Sequence, residues 1–206
     1  VGSEMCIETA AILLNDGKLI EQLDLRTERA VLVGVFPNNR LSEYTPWPEP
    51  AIRPGTPDFG GQLGQYHREL NNEILTALID EYALDTEKLA YGGYSLGGLA
   101  ATMSLWETDA FAAVFSLCGS FWYPGVADFI EEHVPKNHSA QVYLQNGIRE
   151  GEGHNNRLCD AYSYAQRVHT ALQATCGAKT VLDDYGHHDR QSERLNAALR
   201  WVERVL

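Results

Sequence analysis

The 206-residue chain is short of positive charge: 16 Lys and Arg stand against 28 Asp and Glu, a formal net charge of −12. Acidity on that scale argues against nucleic acid and against anionic membrane surfaces as partners. No stretch approaches the roughly 18 unbroken apolar residues of a membrane span, so no membrane partner is expected. Cysteine is sparse and scattered: Cys6, Cys118, Cys159 and Cys176 form no C-x-x-C pair and no metal-ligand spacing. No metal and no cofactor is expected. The spacing suits reduced thiols and a cytoplasmic location, with Cys118 as a small core hydrophobe in its apolar run. Repeats and low-complexity segments are absent too. What remains is the composition of one globular domain, residues 1–206, with enough chain for a sizeable core.

The most informative stretch is residues 89–98, Leu-Ala-Tyr-Gly-Gly-Tyr-Ser-Leu-Gly-Gly. Its centre, Gly93-Tyr94-Ser95-Leu96-Gly97, is a G-x-S-x-G pattern. Short apolar residues precede it and a helix-compatible run follows. That order describes a nucleophile elbow, where a strained turn lifts a serine to the end of a sheet. The glycines leave room for strand and helix to touch, and the helix N-terminus favours developing negative charge. The plain alternative is a glycine-rich strand-to-helix turn.

Around this centre the patterns alternate. Residues 4–23 carry helical apolar spacing (Ile7, Ala10, Ala11, Leu14), and residues 30–36 are a continuous Val-rich run suited to a buried parallel strand. Residues 38–59 hold five prolines and read as a long loop, and loops of that length tend to be functional. Helices are expected at 62–82, 96–107, 126–134, 157–174 and 191–205, with strands at 89–94, 111–118, 141–145 and 180–183. This alternation predicts an α/β fold: a mostly parallel sheet with helices on both faces, its ligand site beyond the C-terminal strand ends.

A serine nucleophile needs a base, and the base an orienting acid, in the chain order Ser, Asp or Glu, His. Glu150 and Glu152 follow the strand that ends near residue 145, and His187 and His188 follow the last strand. Asp160 falls inside an expected helix, and Asp183 and Asp184 lie too close to the histidines. The histidine pair could instead be solvated, or bind metal, but adjacent side chains diverge and no third ligand is spaced nearby. The Leu96 N–H would serve an oxyanion hole, with a second donor expected near Ser3, before the first helix.

Several segments resemble an esterase family of α/β-hydrolases, the group of enterochelin esterases and related feruloyl and S-formylglutathione hydrolases. Residues 39–47 (NRLSEYTPW) are similar to a segment common there, and residues 93–98 (GYSLGG) match its nucleophile segment. Gly119-Ser120-Phe121-Trp122 looks like the segment after the next strand. Gly147-Ile148-Arg149-Glu150 is similar to the acid loop and implies Glu150 as the acid. Gly186-His187-His188-Asp189 resembles a G-G-H-D segment and implies His188 as the base, with His187 its neighbour. The family has strands before the position of Val1, ending in an Asp-Gly that this alignment sets at Val1-Gly2, so the early strands are expected to be missing.

The function expected is a serine hydrolase acting on a small-molecule carboxylic ester through an acyl-enzyme, with Ser95, His188 and Glu150 as catalytic residues. Arg40 is a candidate for a substrate carboxylate or phosphate, against an ion pair with Glu43. Trp122 and Trp47 are candidates for an acyl or aromatic pocket, against simple core packing. Siderophore esters are a less suitable substrate for so acidic a chain. Acyl transfer and a non-catalytic binding protein that keeps the fold are the rival functions, and a homo-oligomer is compatible with the composition.

Overall fold

The computed structural model describes residues 9–23 and 30–206. Strand β1 (Thr9–Asn15) lies inside a sheet, one strand from its edge, and a 3-10 turn at Gly17–Gln22 follows. Strand β2 (Ala30–Val35) then pairs parallel on one side of β1. A short helix α1 (Arg40–Glu43) and a two-stranded hairpin, β3 (Pro48–Glu49) with β4 (Phe59–Gly60), occupy the expected long loop. Helix α2 (Leu63–Glu69) widens into a π turn at Leu70–Ile74 and continues as α3 (Leu75–Tyr82).

The second half repeats one unit. Strand β5 (Leu84–Tyr94) is followed by α4 (Leu96–Glu107), β6 (Ala113–Leu117) by α5 (Val126–Glu132), and β7 (Gln141–Gly147) by α6 (Ala161–Cys176). Strand β8 (Lys179–Asp183) then leads to α7 (Gln191–Val205). The six-stranded sheet has the order β2-β1-β5-β6-β7-β8, and every neighbouring pair is parallel. The C-terminal ends of β1, β5, β7 and β8 therefore open on one edge, where the functional loops gather.

Alternate strand residues feed two cores. Ala11, Leu13, Leu89, Tyr91 and Val142 face α2, α4 and α6, whereas Ile12, Leu14, Ala90, Phe115 and Tyr143 face α7 and Leu19. Helix α4 is buried from Leu96 to Leu105, which explains why small and apolar residues surround it on all sides. Helix α7 instead buries one stripe, including Leu195, Leu199 and Val202.

One expectation fails here. Residues 9–15 form the inner strand β1, not a helix. A strand buried on both faces loses its two-residue alternation, so a short apolar run carries no decisive period. The Asp-Gly pair that follows a strand beside the elbow is Asp16-Gly17, inside the chain, and not Val1-Gly2. No helix among the described residues is long and apolar enough to cross a membrane.

Candidate active site

Ser95 sits between β5 and α4 with φ 58° and ψ −122°, a conformation that an L-residue adopts only under constraint. The constraint is visible on both sides. Ser95 N–H donates to Leu117 O at 2.9 Å, and Ser95 O accepts from the N–H groups of Leu99 and Ser120. A Cβ added at Gly93 would stand 2.5 Å from the Gly97 backbone carbon and oxygen, so the strand and helix meet because position 93 is glycine, and a Cβ at Gly97 would press on Asn15 Cβ at 3.0 Å. Asn15 at the end of β1 braces the turn, its Nδ2 donating to Gly97 O at 2.9 Å. The Leu96 N–H opens α4, where a helix has no internal acceptor for it.

The imidazole beside this serine is that of His187. Its Nε2 lies 3.0 Å from Ser95 Oγ and its Nδ1 lies 2.9 Å from Glu150 Oε2. Glu150 is an ionised acceptor, so Nδ1 carries the proton and Nε2 is free to accept from the serine hydroxyl. His188, the base implied by the family alignment, does not stand at the serine: its ring lies edge-on to His187 with centroids 4.9 Å apart and lines the cleft. The two histidines are adjacent in the turn at residues 187–190, and it is the His187 ring that reaches Ser95 Oγ.

Glu150 is 5% exposed. Its Oε1 accepts from Gly147 N–H at 2.8 Å and from Asn146 Nδ2 at 3.2 Å. Burial pushes its carboxyl up, but the His187 ring and the Gly147 N–H outweigh that and hold it below the ordinary value. Asn146 Oδ1 in turn accepts from Nε2 of buried His169 at 3.0 Å. His169 Nδ1 has no partner among the described residues, and burial pulls this imidazole down to about 4, so it stays neutral. Glu152, the other acid considered, pairs with Arg149 at 2.9 Å on the surface.

Ser120 Oγ stands 3.3 Å from Ser95 Oγ and is buried. The sequence offers it only as part of the segment Gly119 to Trp122, without a role. Ser3 lies outside the described residues; the segment that packs beside the elbow is residues 15–17. Arg40 does not pair with Glu43: its Nε lies 2.9 Å from both carboxylate oxygens of Asp16. Glu43 is occupied by the N–H groups of Asn38 and Asn39, at the start of α1. Trp47 is likewise a packing residue, its indole N–H donating to Pro124 O and its ring lying against Tyr123 and Phe129.

A cleft of about 520 Å³ opens over the serine. Trp122, Ile52 and Leu158 supply apolar wall, and Arg53, Arg149, His154 and His188 polar wall. Cys118 Sγ, a Glu150 oxygen and a His187 nitrogen lie within 4.8 Å of one another, which is close enough for a metal. The fit is poor, because Arg194 Nη1 donates to that sulfur at 2.8 Å and places a cation where another would have to sit. Cys118, Cys159 and Cys176 are free thiols.

The chain has known relatives. The model of a family described as "Putative esterase" matches residues 13–201. The chain belongs to this esterase family. Among curated proteins, the uncharacterized protein YbbA of Bacillus subtilis is 30% identical over 151 residues, which is 72% of this chain. The chain spans 60% of that relative's length. Among solved structures, an IroE-like serine hydrolase from Shewanella oneidensis superposes with a TM-score of 0.77 at 17% identity. That match covers 94% of this chain and 70% of the other. The enterobactin esterase FES from Shigella flexneri, in the presence of enterobactin, gives 0.71 at 17% identity, covering 97% of this chain and 51% of the other. At such identities the likeness is one of fold.

Proposed function

We propose that the protein is a serine esterase that cleaves small-molecule carboxylic esters through an acyl-enzyme. The observation that carries this is the unbroken line from Glu150 through His187 to Ser95, with bonds of 2.9 and 3.0 Å, ending on a serine held at the elbow. His187 takes the hydroxyl proton as Ser95 Oγ attacks the ester carbonyl, and Glu150 stabilises the imidazolium. The Leu96 N–H, aided by the positive end of α4, receives the oxyanion. The protonated His187 then gives its proton to the leaving alkoxide. Water attacks the acyl-enzyme with His187 again as base, releasing the acid and restoring Ser95.

The aromatic and aliphatic wall of Trp122, Ile52 and Leu158 suits an apolar or aromatic group on the ester. One observation favours the siderophore-ester reading as a second choice. Arg53 and Arg149 both line the cleft, and Arg53 has no carboxylate partner among the described residues, so anionic groups on a substrate would find a cation there. Free thiols fit a cytoplasmic setting.

The test is hydrolysis of a p-nitrophenyl ester series, with fluorophosphonate labelling, by the wild type and Ser95→Ala. Turnover and labelling in the wild type, both abolished in the variant, are expected. A folded wild type that neither turns over nor labels would overturn the reading, and a non-catalytic binding protein would then account for the fold. Added alcohol acceptors that divert the acyl group would instead indicate acyl transfer.

A further inference from the structure

We propose that Arg194, on the last helix, is a positioning residue that sets the height and angle of His187, an inference that rests on the serine-esterase reading. Arg194 is 2% exposed, a rare state for a guanidinium and one that needs its donors satisfied. Its Nη1 donates to Gly186 O at 3.0 Å, to Tyr94 Oη at 3.0 Å and to Cys118 Sγ at 2.8 Å. Tyr94 Oη in turn donates to His187 O at 2.6 Å, and its ring meets the imidazole edge-on at 5.8 Å. One guanidinium thus holds the carbonyl before His187 directly and the carbonyl of His187 through one hydroxyl.

The other side of the guanidinium fixes where that clamp stands. Arg194 Nε donates to Asp183 Oδ2 at 2.8 Å, and Nη2 donates to Asp183 Oδ1. Asp183 ends β8, the strand that delivers the histidine loop, and also accepts from Gln145 Nε2 of β7 at 2.8 Å. Burial raises the Asp183 carboxyl, but bonds from Arg194 and Gln145 outweigh it and keep the group ionised. Tyr94 is the residue before Ser95, so nucleophile and base hang from one centre. The acid loop closes on the same point: a Cβ at Gly147 would meet Tyr185 O at 1.9 Å and Arg194 Nη2 at 2.9 Å.

A salt bridge that only held α7 to the sheet would need Asp183 alone. The geometry at Nη1 adds two contacts, to Gly186 O and Tyr94 Oη, that bear on the histidine. A hydrogen bond across the triad tolerates little displacement, since a shift of about 1 Å at a reacting group costs on the order of 100-fold in rate.

The experiment compares Arg194→Lys and Tyr94→Phe with the wild type. Lysine keeps a cation for Asp183 but cannot bind Asp183, Gly186 and Tyr94 at once. Tyr94→Phe removes only the relay hydroxyl and serves if Arg194→Lys does not fold. Melting temperature, kcat and KM for a p-nitrophenyl ester, and the far-downfield proton NMR signal of His187 Nδ1–H are read together, with His187→Gln assigning the signal. Arg194→Lys is expected to lower kcat about 10- to 100-fold with KM within about threefold, and to broaden or move the Nδ1–H signal. Tyr94→Phe should do the same to a smaller degree, and the double variant should lose less than the product of the two. Folded variants that retain both the wild-type kcat and the wild-type signal overturn the proposal. If the wild type itself hydrolyses no ester, the esterase reading fails, and the proton signal alone decides whether Arg194 positions the ring.

Discussion

Replacing each of the two adjacent histidines in turn separates the structural assignment from the family alignment. His187 makes both bonds of the relay, to Ser95 and to Glu150, while His188 lies against the ring of its neighbour. His187→Gln keeps side-chain volume and a donor towards Glu150 but no group that can accept the Ser95 proton and return it. Loss of a positioned general base costs about 10²- to 10⁴-fold. Here the same ring also loses its charge stabilisation by Glu150, so we expect at least 10³-fold in kcat/KM, about 4 kcal/mol of transition-state stabilisation. His188→Gln removes a cleft wall and should alter kcat/KM by no more than about threefold. The assay is initial-rate hydrolysis of p-nitrophenyl acetate and butyrate, with circular dichroism melts to confirm folding. Equal losses in the two variants, or a larger loss in His188→Gln, would refute the reasoning.

Further outcomes follow from the same geometry. Glu150→Gln should lower kcat about 10³- to 10⁴-fold while leaving fluorophosphonate labelling detectable, because the amide no longer selects the Nδ1–H tautomer; an activity within tenfold of wild type would count against Glu150. Gly93→Ala should lower the melting temperature and abolish labelling, since the added carbon meets backbone at 2.5 Å and neither strand nor helix can yield cheaply; normal labelling would contradict this. His169 titrates near 4 when folded and near 6.5 when unfolded, so the stability tied to its neutral form is present above pH 6.5 and is lost as pH falls towards 4, by about 3 kcal/mol. His169→Gln should flatten that dependence in urea melts at pH 7, 5.5 and 4, and an unchanged slope would sink the assignment. Trp122→Ala should raise KM for aromatic esters more than for acetate, whereas Trp47→Phe should change melting temperature and not KM; ester preference that follows Trp47 would reverse their roles.

Legibility in the sequence tracked the range of the physics. The elbow was readable because its demands are local: a strained residue, glycines two positions to either side, a strand before and a helix after. Helix α7 and strands β6 to β8 were readable from their apolar spacing or runs. Strand β1 was not, because an inner strand covered on both faces has no alternation to betray it. For Arg40 the sequence offered a substrate anion or an ion pair with Glu43, and for Trp47 a pocket wall or core packing. Their partners, Asp16 and Pro124, lie 24 and 77 positions away, and no local pattern announces such pairs.

By itself the sequence determined the parallel α/β architecture, Ser95 at its turn, and an acid loop and a histidine loop in the right order. These depend on periodicity and on backbone conformations that only certain residues accept. Which histidine faces the serine, which residue braces the acid, and where Arg194 hangs were decided by tertiary structure alone. Two neighbours in one loop are chemically identical until strands β5, β7 and β8 fix the direction from which Ser95 and Glu150 approach. A buried guanidinium on the last helix acquires its role only when the folded sheet brings Tyr94, Asp183 and Gly186 to it.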